Sequence, residues 1–326
     1  MTSIRAILPA LVGALLASSV AAQDTPAPDE ASDLANESGE ALRQERQERI
    51  AEDEIVVTGR AQEASRAEIH RQARDVTPPG DIRETPLARY ETPLCPGIIG
   101  LTVQAAVPMI DRIRTNAEVL GVRLAPDECN PNMVLVFADD GQALLSGMME
   151  ENPARFQYLT PVARQELRAP GPVRVWTDVQ QATRDGMRVP RSRNLVNPPQ
   201  VRMDMAHSHI YTTVRNEIDM VWVIIDREAA RGLSLMQLAD YATMRGLVQT
   251  EPQEDLAISS ILGLFNEDGP WPDELTDFDR AYLTAVYDYI PNLPAFRKLG
   301  RVAEEVRRIE AAQLVMDGDE EAPRDQ

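Results

Sequence analysis

Apolar residues recur along this chain in two rhythms, and together they predict an α+β domain. A helical rhythm runs through Val103 to Leu120, where Ala106, Ile110, Ile113 and Ala117 fall on one stripe. It returns at Leu235, Leu238, Ala239, Ala242 and Gly246, opened by Ser234 with Gln237 three residues on, which forms a capping box. Thr276 and Asp279 repeat that start signal for a later helix, and Gly246 stands where a helix end is expected. Continuous apolar runs predict strands instead. Met133 to Ala138 reads as a buried strand, and Tyr90 to Leu101 as another, broken at Pro96-Gly97. His209 to Val214 and Met220 to Asp226 read as a hairpin, with Arg215 to Asp219 as its turn. Gly141 to Glu150 predicts a short helix. The Pro- and Arg-rich stretch from Pro153 to Met205 predicts an irregular insertion holding one short strand, Val173 to Trp176. Ala295 to Val315 predicts a charged terminal helix.

The first residues change the picture of the compartment. Arg5 supplies a positive start and Ala6 to Val20 an apolar stretch too short for a stable membrane anchor. Val20-Ala21-Ala22 places small residues for cleavage after Ala22, so residues 1–22 read as a signal peptide and the mature chain as periplasmic or secreted. No later segment approaches transmembrane length, so stable membrane insertion is not expected. Residues 23–85 contain no aromatic side chain until the domain begins near Pro86 and predict a disordered tail, with residues 316–326 a second, acidic one. The expected domain is therefore 86–315. Export puts Cys95 and Cys129, the two cysteines, in an oxidising space, where a structural disulfide is the expected fate. The net charge of −19, with Lys298 the sole lysine, makes nucleic acid a poor partner, because phosphate contacts need clustered cations.

Candidate chemistry centres on Ala239 to Gln249. Set in the frame H-E-x-x-H-x-x-G-x-x-H, this stretch keeps the glycine as Gly246. The metal-ligand positions hold Ala239, Thr243 and Gln249, and the general-base position holds Asp240. A methyl group cannot coordinate a cation, so no metal or other cofactor is expected there. Downstream lie Ser259-Ser260-Ile261-Leu262 and a Leu275-Thr276-x-x-Asp279-x-x-x-Leu283-x-x-Val286-Tyr287 segment. In order and spacing, residues 210–287 resemble the metzincin zinc proteases, with their edge hairpin, active-site helix, turn beneath the metal and closing helix. The resemblance implies a zincin-like mixed sheet followed by C-terminal helices, in a scaffold that has lost its zinc site. It also implies a cleft between the edge strand and the helix 234–246, where a peptide could add to the edge near Ile210, Tyr211 and Thr213. The same residues also read as an ordinary core stripe.

Two further motifs supply alternatives. His207 and His209 share one strand face at i, i+2 spacing and are a weak metal-site candidate, with Asp204 or a distant carboxylate as a third ligand. Glu54-Ile55-Val56-Val57-Thr58-Gly59-Arg60 resembles the box by which TonB-dependent outer-membrane receptors pair an extended segment with TonB. Ile55, Val56 and Val57 would form that strand. The expected function is binding of a peptide or protein in the periplasm without catalysis. The competing expectations are a hydrolase using Asp240 or the His207/His209 pair, and a TonB-linked accessory protein acting through its tail.

Overall fold

The computed structural model describes residues 64–191, 208, 210–267, 269, 271–288 and 290–320. The chain forms a mixed α/β domain on a four-stranded sheet, with helices on both of its faces. The strands are β1 (Pro96–Ile99), β2 (Met133–Ala138), β3 (Val173–Thr183) and β4 (Val214–Asp226), in the order β1-β2-β4-β3. β1, β2 and β4 run parallel, and β3 pairs antiparallel with β4 at one edge. The helices are α1 (Arg66–Asp75), α2 (Val103–Val119), α3 (Gly141–Glu151), α4 (Pro161–Leu167), α5 (Leu235–Gly246), α6 (Asp277–Tyr287), α7 (Ala295–Leu299) and α8 (Val302–Glu320).

The unbroken apolar run of β2 follows from its position. Met133, Leu135 and Phe137 face the main core with α2, α5 and α6, while Val134 and Val136 face a smaller core with Leu145, Phe156 and Trp176. β4 alternates in the same way until Asp219, which the register skips between Met220 and Ile218. That irregularity shifts the parity, so Ile218 joins Val221, Val223 and Ile225 in the main core.

Several expectations from sequence are corrected here. Arg215 to Asp219 form no turn: they continue β4, and its antiparallel partner is β3, far longer than Val173 to Trp176. The last part of the expected tail 23–85 is structured, because Ser65 and Glu68 form a capping box and α1 buries Ile69 and Ala73 completely. Gly246 is the last residue of α5, as the pattern predicts, and it also permits close approach to β2, because a Cβ there would lie 2.5 Å from Met133 Cε. The terminal helix is broken at Gly300 into α7 and α8. Cys95 and Cys129 form a disulfide, with Cα atoms 6.1 Å apart, that fastens the start of β1 to the loop after α2.

Candidate functional site

α5 runs through the centre of the main core. From Gln237 to Gly246 every residue is buried, and Ala239, Asp240 and Thr243 are wholly without exposure. Such a helix is apolar on most faces; Arg245 donates to the Thr250 carbonyl at its end, and the face bearing Asp240 turns toward α2. There Arg112 and Asn116, one turn apart, meet Asp240. Arg112 Nε donates to Oδ1 and Nη2 to Oδ2, both at 2.8 Å; Asn116 Nδ2 donates to Oδ1 at 2.7 Å; the Leu275 amide donates to Oδ2 at 3.0 Å. Both oxygens are thus saturated by donors held on two different segments, α2 and the stretch before α6. The hydrogen bonds it donates to Asp240 push the Arg112 guanidinium still higher than its ordinary range. Arg112 continues outward to Glu274 at 3.0 Å, and Glu274 to Arg280 at 2.8 Å.

The two helical ligand positions are occupied by packing. Thr243 Oγ1 donates to the Ala239 carbonyl at 2.9 Å and accepts from Asn116 Nδ2 at 3.1 Å. Gln249 lies apart from this cluster, in the wall of a cavity of about 120 Å³ roofed by residues 77–88. Asp240, which the sequence frame put at the general-base position, is therefore not free to act as one. No oxygen is left to accept a proton from a water or a substrate.

Beneath α5 a 3₁₀ turn spans Ile261–Gly263, with Leu262 buried in the core. Asp279 of α6 organises it. Its Oδ1 accepts from Ser260 Oγ at 2.5 Å, and its Oδ2 from the amides of Ile261 (2.8 Å) and Thr276 (2.9 Å) and from Thr276 Oγ1 (2.9 Å). Burial raises the Asp279 carboxyl above its usual range, against the pull of these donors. The sequence showed Asp279 only as a capping residue; its reach back to the Ser260 turn needs the tertiary structure.

The other candidates are dispersed. Ile210, Tyr211 and Thr213 precede β4 and belong to no sheet edge. The Ile210 and Tyr211 amides donate to Ser208 Oγ, and Thr212 between them is fastened to Asn292 by backbone and side-chain bonds. The sheet's edges are instead β1 and β3, and residues 187–191 cover the far half of β3. His207, His209, Asp204, Ile55, Val56, Val57 and the leader lie outside the described residues. Among the described residues no three His, Cys, Asp or Glu side chains gather as metal ligands, and no helix is long and apolar enough to cross a membrane.

A second polar cluster was invisible in the sequence. Arg89, Glu91, Arg215 and Glu217 form a chain of ion pairs where the segment before β1 crosses β4. Beside it Lys298 is entirely buried, and its amine is pulled down to about 7 by burial first and by Arg89 second, with Glu91 opposing. The only hint in the sequence was that a chain so rich in arginine keeps a single lysine.

Fold and cluster together define a mixed α/β domain in which the polar groups along α5 hold the structure shut. No protein-family model, curated protein or solved structure matches this chain.

Proposed function

We propose that this chain is an exported, non-catalytic protein on a zincin-type scaffold that acts by binding a peptide or protein in the periplasm. The observation that carries the reading is the closed state of Asp240: a buried carboxylate with both oxygens saturated stands where a zinc protease keeps a base beside its metal. The order strand, helix, strand, two helices, antiparallel pair, helix and the Ser260 turn beneath α5 support a scaffold of this kind, with β3 and β4 as the antiparallel pair in place of the expected 209–226 hairpin. The Cys95–Cys129 bridge supports passage into an oxidising compartment, after cleavage behind Ala22. For the binding surface, the first half of β3 takes the place that residues 210–213 held in the sequence reading, since β3 is the antiparallel edge of the sheet.

The test is a zinc and peptidase measurement on the purified mature protein, joined to a peptide-array screen. The expected result is no stoichiometric zinc, no chelator-sensitive cleavage, and retention of extended peptides that is lost on Val175→Pro. One equivalent of zinc removed by His207→Ala or His209→Ala would overturn the reading in favour of a hydrolase. The Glu54–Arg60 segment supports a second reading, a TonB-linked partner. Capture by the TonB C-terminal domain, absent with Val56→Pro, is its test, because proline removes an N–H from the strand pairing.

A further inference from the structure

Residues 77–88 run as a strap across the domain before β1; Thr77 shares a hydrogen bond with the Tyr282 hydroxyl, Asn216 Nδ2 donates to the Pro86 carbonyl, and between these points α7 holds the strap. The Ala295 and Phe296 amides donate to the carbonyls of Thr85 and Ile82, both at 2.9 Å, and Pro86 and Pro294 form an isolated bridge. α7 is short and has no side-chain cap, so its attachment rests on what its own side chains reach. Lys298 reaches furthest. Its Nζ donates at 2.7 Å to the carbonyl of Val286, near the end of α6. That carbonyl already accepts from Arg89 Nη1 at 3.1 Å, and Arg89 Nη1 also takes the Tyr287 carbonyl at 2.8 Å.

This geometry suits a neutral amine and not an ammonium. Lys298 has no exposure to water and no carboxylate bonded to it. The charged groups acting on it come from the segment before β1: Arg89, which repels a second cation, and Glu91, whose oxygens are engaged by Arg89 Nε at 2.6 Å and by Arg215 at 3.7 Å. α6 offers the carbonyl and the Tyr287 phenol, which burial raises and so keeps neutral; no charged group of α1 or α8 contributes. An ammonium here would be a buried charge without its own partner.

We propose that Lys298 is a proton-linked latch: as a neutral amine it closes α7 and the strap 77–88 onto the end of α6, and a proton taken from solvent favours their release. Release would unroof the cavity lined by Gln249, Asn216 and Ala295. The direction follows from linkage. The closed amine is lowered to about 7, against an ordinary 10.5 once it is free in water. The open form therefore binds the extra proton between those values, and opening grows about tenfold for each pH unit lowered until it levels off near 7.

Because this is the only lysine, its chemistry can be followed alone. Acetylation of Lys298 by acetic anhydride, read by mass spectrometry from pH 7.5 to 9.5, is the test. In the urea-unfolded chain the rate should climb about tenfold per pH unit as the free amine loses its proton. In the native protein it should stay flat, because opening falls by the same factor. A native rate that climbs in parallel with the unfolded one overturns the latch. Hydrogen exchange locates the motion: in peptides covering 80–85 and 290–299, opening corrected for intrinsic rate should rise about 100-fold from pH 9.5 to 7.5. It should be flat in Lys298→Met, while residues 133–138 are unaffected in both. An equal rise in Lys298→Met, or none in the wild type, overturns it; should that variant not fold, the acetylation result decides.

Discussion

Removing either partner of the Arg112–Asp240 pair should be among the costliest substitutions in this domain, and removing both should restore much of the loss. Asp240 has no exposure, while the Arg112 side chain retains 27%. Asp240→Leu deprives four N–H groups of their acceptor: two of Arg112, one of Asn116 and the amide of Leu275. Arg112 can turn to water and Glu274, and Asn116 keeps Thr243, so the buried Leu275 amide is the group left fully orphaned. An orphaned buried donor costs about 1–3 kcal/mol, and breaking a buried pair about 3–5 kcal/mol in all. The partly open arginine places Asp240→Leu toward the lower end, near 3 kcal/mol. Arg112→Met leaves the carboxylate buried with two donors of its four, so about 4 kcal/mol is expected. Arg112→Met with Asp240→Leu leaves no unpaired charge and should cost about 2 kcal/mol, giving a coupling of about 5 kcal/mol. Urea unfolding at 25 °C, followed by the fluorescence of buried Trp176, measures all three variants. Additive losses would refute the reasoning, and so would single variants as stable as the wild type. The second outcome is what a carboxylate kept free for catalysis would give.

Ala239→His should destabilise the domain by at least 1–3 kcal/mol of overpacking at a fully buried position and bind no zinc; calorimetry and metal analysis check it, and a neutral substitution would mean open space beside α5. Ile69→Ala should cost about 3 kcal/mol by urea unfolding, because α1 is core and not tail; a loss below 0.5 kcal/mol would detach α1 from the domain. Gly100→Ala should lower the melting temperature by many degrees, since φ is +91° there and a new Cβ would lie 2.2 Å from the Phe137 carbonyl oxygen. Opening the Cys95–Cys129 bridge by Cys→Ala at both positions should cost about 4 kcal/mol on the chain-entropy model, measured by the same unfolding curves.

What the sequence made legible was local. The capping boxes at Ser234 and Thr276 and the unbroken apolar run of β2 are decided by near neighbours, and they stand where the pattern placed them. The paired cysteines stand too, since two cysteines leave one bridge to make. The Arg215 to Asp219 stretch misled because a polar run broken by one apolar residue looks like a turn. Its polar side chains are held in β4 by partners remote in sequence, Glu91 for Arg215 and Arg188 for Asp219. α1 misled for a related reason. A charged, aromatic-free segment can still be core when Ile69 and Ala73 meet a surface supplied by the other end of the chain. The polar cluster on α5 was half legible. Asp240 stood out by its place in the frame, but Arg112 and Asn116 lie more than a hundred residues earlier, and nothing in their spacing names the carboxylate they hold.

The packing of α1 against α8 bears on when this protein can finish folding. Arg307 Nη2 donates to the Ala64 carbonyl across 243 residues, Gln72 exchanges hydrogen bonds with the Ile258 backbone, and the Glu251 amide donates to the Val76 carbonyl. α1 thus finds these partners only once the C-terminal part of the chain is made. Contacts so distant along the chain close slowly, since loop entropy must be overcome before they add stability. Until those segments are made, the bonds that fix α1 in place are missing. For the exported chain proposed above, late closure of this kind would keep the polypeptide threadable until the far side of the membrane is reached.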